Sequence, residues 1–140
     1  MQPARLNFDQ PIFIIEFNVS THWSTRYDPA KYRNYAQNLE ARIREHLPDA
    51  TILHNEVPKE WADKQIYMQM IRNDDAGAGC YDMVPRGGAF EVSTVTKKGD
   101  YSQDILLYSK IIGGMWPHCG DLAARIARYW EDKQAGMHPN

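Results

Sequence analysis

A strand, a long helix and a second strand follow one another early in the chain, and this order restricts the fold more than any other feature. Residues 12–17 are β-branched, aromatic and apolar, which predicts a buried strand. Asp28 and Pro29 supply a helix N-cap and a first-turn proline, and apolar residues then recur at helical spacing as far as Pro48. Residues 51–57 predict the next strand. Strands joined by a helix are usually parallel with a right-handed crossover, so a βαβ unit is expected.

A weaker pattern follows at about residues 58–87, which we interpret as an insertion in the domain. Ile66, Met68 and Met70 alternate as in a strand. Residues 73–79 are rich in Asp, Gly and Ala and predict a loop.

The last third of the chain predicts a strand hairpin and a closing helix. Residues 89–95 and 105–109 are strand candidates joined by an extended polar tip at about 96–104. The helix has Asp121 in its first turn, where a negative charge complements the helix dipole, and apolar residues at helical spacing: Leu122, Ala123, Ile126, Ala127 and Trp130. We therefore expect one α/β domain of 140 residues, with a mixed four-stranded sheet and two helices.

The composition argues against several classes of function. The 16 basic and 18 acidic residues are well mixed and leave a formal charge of −2, which disfavours binding to nucleic acid. The longest apolar runs are far shorter than the roughly 20 residues that span a bilayer, so no transmembrane segment is expected. The N-terminal residues do not predict a secretory signal, and only two cysteines are present, so an intracellular location is favoured.

Three short strings carry a resemblance to a known family. They are IEFNVSTHWSTRY at residues 15–27, GAFEV at residues 88–92, and LYSK at residues 107–110 followed by GMWP at residues 114–117. The first is similar to an apolar strand, a Cys-x-x-Cys motif or its selenocysteine form, and a basic-Tyr pair. The other two are similar to a Gly-Ala-Phe-Glu-Val strand and to a strand ending in Ser-Lys before Gly-x-Phe-Pro. In this order they resemble the redox (Rdx) family of selenoproteins W, T and H.

The resemblance implies a thioredoxin-like fold, β-α-β-(insertion)-β-β-α, without the family's chemistry. That chemistry depends on a thiolate or selenolate at the start of the first helix. The corresponding positions here are Asn18 and Thr21, and Trp116 stands where the family usually has Phe. Because neither an amide nor an unactivated hydroxyl can exchange disulfides, we expect no catalytic residue and no enzyme activity.

A non-catalytic accessory or scaffold subunit of a larger protein assembly is therefore the first functional hypothesis. Aromatic residues are enriched at the centres of interfaces, which makes Trp23, Trp61, Trp116 and Trp130 interface candidates. The same side chains equally suit packing between loops and sheet. By analogy, a degenerate thioredoxin-like subunit suits a mitochondrial respiratory-chain or ATP synthase complex, so a mitochondrial location is favoured over a cytoplasmic one.

The alternative hypothesis is a thiol redox protein or redox switch that uses Cys119, with or without Cys80. Cys119 precedes the first turn of the last helix, where the helix dipole can lower a thiol pKa. Cysteines outside disulfides are nevertheless often buried and inert, and a disulfide between the two remains open at this point. The histidines show no ligand spacing and the glycines form no nucleotide-binding loop, so no metal and no cofactor are expected.

Overall fold

The chain forms seven strands and three helices within the residues that the structure, a computed structural model, describes. The described residues are 10–21, 26–58, 69–71, 80–95 and 105–134. The elements in chain order are β1 (Ile12–Phe17), α1 (Pro29–His46), β2 (Thr51–His54), β3 (Glu56–Pro58), β4 (Gln69–Ile71), β5 (Cys80–Val84), β6 (Phe90–Thr94), β7 (Ile105–Ser109), α2 (Lys110–Gly113) and α3 (Cys119–Gln134).

Four of the strands form a mixed sheet in the order β2-β1-β6-β7. β1 is parallel to β2 and antiparallel to β6, and β6 is antiparallel to β7. The predicted mixed four-stranded sheet is thereby confirmed, as is the β6–β7 hairpin, whose tip at 96–104 lies outside the described residues. Phe17 pairs with Phe90, and Glu91 pairs with Ser109. The last residues of β1 and β7 therefore lie beside the first residues of β6, and we call this end of the sheet the site end.

The two long helices begin where the sequence predicts, and they bury the predicted apolar faces. The N–H of Ala30 donates to Asp28 Oδ1 at 3.0 Å, Pro29 is the first helical residue, and Leu47 is the C-cap of α1. The buried faces hold Tyr32, Ala36, Leu39 and Ile43 in α1, and Leu122, Ala123, Ile126 and Ala127 in α3. The two helices pack against each other, so one face of the sheet is covered by a helical layer.

Side chains of β1 alternate between two core clusters on opposite faces of the sheet. Phe13, Ile15 and Phe17 pack with the helices. Ile12 and Ile14 pack on the other face, in a cluster completed by Leu53, Val57, Cys80, Met83 and Val95. The four-stranded sheet is thus buried on both faces, which explains why every residue of β1 is buried.

β3, β4 and β5 form a second sheet, which the sequence did not predict; β4 and β5 lie in the predicted insertion, and β3 ends where that insertion begins. Its strands lie in the order β3-β5-β4 and both pairs are antiparallel. β3 and β4 have three residues each, which is too few for an alternating pattern to reveal them. Met70 lies in β4, whereas Ile66, Met68 and residues 73–79 lie outside the described part of the chain.

Asn55 divides the segment 51–57, which was wrongly predicted as one strand. Its φ of 54° is in the left-handed region, which Asn tolerates better than most residues. The N–H of Phe17 donates to Asn55 Oδ1 at 2.8 Å, and Asn55 Nδ2 donates to the carbonyl of Phe17 at 3.0 Å. On the main chain, Asn55 donates to the carbonyl of Ile15 and accepts from the N–H of Met83. One residue therefore bonds both sheets.

α2 is a third helix, where two were predicted. Ser109 Oγ accepts from the N–H of Ile112 at 3.0 Å and caps its start. Gly114, with φ of 72°, ends the helix, and its N–H donates to the carbonyl of Lys110 at 2.7 Å. A helix of four residues is too short to produce a periodic pattern in the sequence. No helix among the described residues is long and apolar enough to cross a membrane.

Asn55→Ala is expected to lower the free energy of unfolding by about 2 to 3 kcal/mol, measured by urea denaturation. The substitution removes two hydrogen bonds to Phe17, each contributing roughly 1 kcal/mol, and places a β-carbon in a left-handed conformation without a compensating amide. Asn55→Gly is the matched control, because it loses the same bonds but accepts this φ. An alanine variant as stable as the native chain would contradict the proposed role of Asn55.

Candidate functional site

Asn18 follows β1 at the site end, and both its backbone and its side chain form hydrogen bonds. Its side chain is buried. Its N–H donates to the carbonyl of Ala89 at 3.0 Å, its Nδ2 donates to the carbonyl of Ser20 at 2.9 Å, and its Oδ1 accepts from the N–H of Gly88 at 3.4 Å. Thr21 is exposed. Asn18, the first of the two positions that the resemblance assigns to thiols, therefore joins the connection after β1 to the turn before β6.

The turn facing Asn18 favours glycine at position 88. The N–H of Ala89 donates to the carbonyl of Arg86 at 3.1 Å and closes the turn. Gly88 has a φ of 73°, and a β-carbon there would lie 2.7 Å from Cζ of Tyr27. Both the left-handed conformation and the close approach of the Tyr27 ring disfavour a larger residue, because the backbone would be strained and the ring would have to shift.

Three aromatic rings surround the ammonium group of Lys110, and we call these four residues the Lys110 cluster. Lys110 Nζ lies 5.9 Å from the ring centroid of Tyr27, 5.3 Å from that of Tyr32 and 5.1 Å from that of Trp116. It also donates to the hydroxyl of Tyr32 at 3.1 Å, and that hydroxyl donates to the carbonyl of Gly88 at 3.4 Å. Ring faces attract cations, so the cluster stabilises a positive charge at the site end.

Trp116 joins this cluster to the helical core. Its ring stacks on Tyr35 with centroids 4.2 Å apart and lies 5.8 Å from Phe90. Trp130 is also half-buried against the same core. Trp23 and Trp61, the other two interface candidates, lie outside the described residues. Trp116 and Trp130 thus pack against the helical core, and each keeps part of its surface exposed.

Two buried carboxylates lie side by side on β1 and β6, on the face of the sheet opposite α1 and α3. Glu16 and Glu91 are register partners, with 1% and 5% of their surfaces exposed. Arg86 donates to Glu16 through Nε at 3.0 Å and Nη2 at 2.8 Å, and through its backbone N–H at 2.7 Å. Its Nη2 also lies 4.0 Å from Glu91 Oε1. One half-exposed guanidinium therefore compensates a buried pair of like charges.

Glu91 fixes the start of α2. Its Oε2 accepts from the N–H groups of Lys110 at 2.8 Å and Ile111 at 3.1 Å, and its Oε1 accepts from the hydroxyl of Ser109. The carboxylate thereby satisfies N–H groups that a helix start leaves unpaired. Sequence reasoning assigned no role to Glu16 or Glu91. A sequence signal for them did exist, because each is the one carboxylate within a predicted strand. A carboxylate is rarely buried without a partner, so such a position predicts a buried polar contact.

Neither cysteine has the surroundings of a reactive thiol. Cys119 begins α3, is buried, and lies with Sγ 3.9 Å from the carbonyl oxygen of Tyr35. Burial raises the pKa of its thiol, and the positive charge of Arg42 opposes this only in part. Cys80 is buried in β5, in the cluster on the other face of the four-stranded sheet. The structure contains no disulfide between them.

Exposed aliphatic side chains gather at the site end. Ile112 is 79% exposed and Met115 is 71% exposed, and Ile111 and Val19 are also exposed. They lie in α2, in the segment just after it, and in the connection that follows β1. Leu106, which is 51% exposed, lies near the opposite end of β7. The site end thus combines an apolar surface with the cationic Lys110 cluster.

The described residues contain no group of three or more His, Cys, Asp or Glu side chains arranged to hold a metal ion. Comparisons with models of protein families, with curated proteins and with solved structures found no match to this chain.

Arg86→Met is expected to lower the free energy of unfolding by about 3 kcal/mol, because it leaves the Glu16 carboxylate buried without a positive partner. Thermal and urea denaturation would measure the loss. The double variant Glu16→Gln/Arg86→Met should recover part of it, since a neutral amide still accepts from the backbone N–H at position 86. Equal destabilisation of the single and double variants would contradict this account of the carboxylate.

Cys119 in the folded chain is expected to react with Ellman's reagent at least about tenfold more slowly than in the urea-unfolded chain at the same pH. Burial limits access, and a raised pKa means that less of the thiol is ionised at neutral pH. The rate should keep increasing as pH passes the ordinary pKa of a cysteine. The measurement uses a Cys80→Ala background so that a single thiol reports. Equal rates in the folded and unfolded chains would contradict the prediction.

Proposed function

We propose that this protein is a non-catalytic, thioredoxin-like interaction subunit that binds partner proteins through the site end of its sheet. The thioredoxin-like assignment is supported by the order β1-α1-β2 followed by β6-β7-α3. It is also supported by a sheet in which β1 lies between a parallel and an antiparallel neighbour. This is the arrangement that the resemblance to the Rdx family implies.

The chemistry of the site end supports a role without catalysis. Asn18 stands where the resemblance places the first thiol, and both of its amide atoms bond neighbouring backbone. Cys119 cannot easily take over, because its thiol is buried and its pKa is raised. Neither residue offers an accessible nucleophile for a disulfide, so the redox-switch alternative gains no support.

The exposed aliphatic surface at the site end is the observation that carries the proposal. Ile112 and Met115 protrude although neither is needed to complete the described core. Burying one such side chain fully gains about 1.5 to 3 kcal/mol. A partner that covered both would therefore gain several kcal/mol from the contact alone, before the cost of association.

A larger protein assembly is the setting that we propose for this subunit. A mitochondrial respiratory-chain or ATP synthase complex is the favoured example, by analogy with other degenerate thioredoxin-like accessory subunits. The exposed site end would then be covered by neighbouring subunits. Recovery of the tagged native chain in a stoichiometric complex, measured by native mass spectrometry, would identify that assembly.

Ile112→Asp is expected to weaken assembly at least about tenfold, because it places a charge in the apolar surface that partners would cover. The fraction of tagged chain that migrates in the complex, against free monomer, is the readout. Folding of each variant is checked by its thermal transition.

Leu106→Asp is the matched control, since Leu106 is exposed but lies near the other end of β7. It should assemble like the native chain. A native chain that is monomeric in its source cells, or that reduces insulin disulfides at the rate of a thioredoxin, would contradict the proposed function.

A further inference from the structure

Two lysines approach the same tryptophan at the site end. Lys31, in the first turn of α1, and Lys110, at the start of α2, each place Nζ 5.1 Å from the Trp116 ring centroid. The two nitrogens are thus separated by at most about 10 Å, twice that distance, which is close to the Debye length at physiological ionic strength. Their positive fields therefore overlap in solution.

Carboxylates within the described residues do not pair with either ammonium group. The ion pairs there involve Glu16, Glu40, Glu45, Glu91 and Asp121, and their partners are arginines or histidines. Lys110 donates to the hydroxyl of Tyr32, which carries no charge. Two cations are therefore held near each other by ring faces, and neither ammonium group forms an ion pair with a carboxylate of the described residues.

The position of Lys31 strengthens this positive region. The first turn of α1 contains no acidic residue, and the N-terminus of a helix carries a partial positive charge that disfavours a lysine there. Asp28 caps the helix through one N–H group only. A bound anion would gain from both lysines.

Apolar side chains flank these cations directly. Ile111 follows Lys110 in the chain, and Met115 precedes Trp116, and both are exposed. Lysine binds an anion as a point charge and does not require the planar, two-pronged geometry of arginine. An acidic side chain next to aliphatic ones is complementary to such a surface.

We infer that the site end binds an extended acidic and apolar peptide segment of a partner protein. A carboxylate of this segment lies between Lys31 and Lys110, and its aliphatic side chains cover Ile112 and Met115. This inference rests on the proposed interaction function and specifies the chemistry of the partner.

Selection from a phage-displayed library of random 12-residue peptides on the immobilised full chain tests the inference. The enriched peptides should carry Asp or Glu beside Leu, Ile, Met or Phe. Their affinity, measured by fluorescence polarisation, should fall with rising NaCl concentration because surface charges are screened.

Lys31→Glu should weaken a selected peptide by at least about tenfold. Lys31 is exposed and an acidic residue suits the first turn of a helix, so the variant is expected to fold. Lys133→Glu is the matched control, because Lys133 also lies over a ring, that of Tyr129 at 5.8 Å, at the far end of α3. It should leave the affinity unchanged.

The other outcomes separate this inference from the proposed function. Peptides without a carboxylate, or peptides whose affinity depends on Ile112 but not on Lys31, would overturn the acidic-segment inference and leave the interaction surface intact. Enrichment that is equal on the native chain and on Ile112→Asp would overturn both. Selection of phosphorylated or nucleic acid ligands in parallel screens, in preference to acidic peptides, would overturn the choice of partner chemistry.

Discussion

The carboxamide of Asn55 occupies the place that a backbone amide would take beside Phe17, and the course of the chain after β2 depends on this arrangement. A left-handed residue ends β2 and turns the chain toward β3, while its side chain keeps β1 fully bonded at the same position. Its carbonyl then accepts from the N–H of Met83 in the second sheet. One residue therefore marks the end of β2 and connects the two sheets by hydrogen bonds.

The carboxylates of Glu16 and Glu91 organise the site end from inside the sheet. Glu16 holds the turn that begins at Arg86, and Glu91 holds the first N–H groups of α2. Each carboxylate is costly to bury, and each is compensated by donors on the connection that it fixes. The two carboxylates hold the backbone of these connections from the buried side. The outward side chains, such as Ile112 and Met115, are therefore not needed to hold the connections in place, and they are exposed.

Long periodic segments were predictable from the sequence, and single-residue devices were not. The apolar run of β1 and the buried faces of α1 and α3 each repeat a pattern over several residues or turns, so these three elements were predicted with nearly correct bounds. Asn55 and the second sheet escaped prediction because one left-handed residue and strands of three residues leave no periodic signal. The Lys110 cluster joins residues from two distant segments, 27–32 and 110–116, and only the tertiary structure brings them together.

The two cysteines lie on opposite sides of the four-stranded sheet, in separate core clusters. A disulfide needs α-carbons within roughly 7 Å of each other, whereas packed layers on the two faces of a sheet each lie about 10 Å from it. Oxidising conditions therefore cannot crosslink the folded chain internally. The stability that an internal disulfide adds to many small domains is therefore not available to this one, in reducing or in oxidising surroundings.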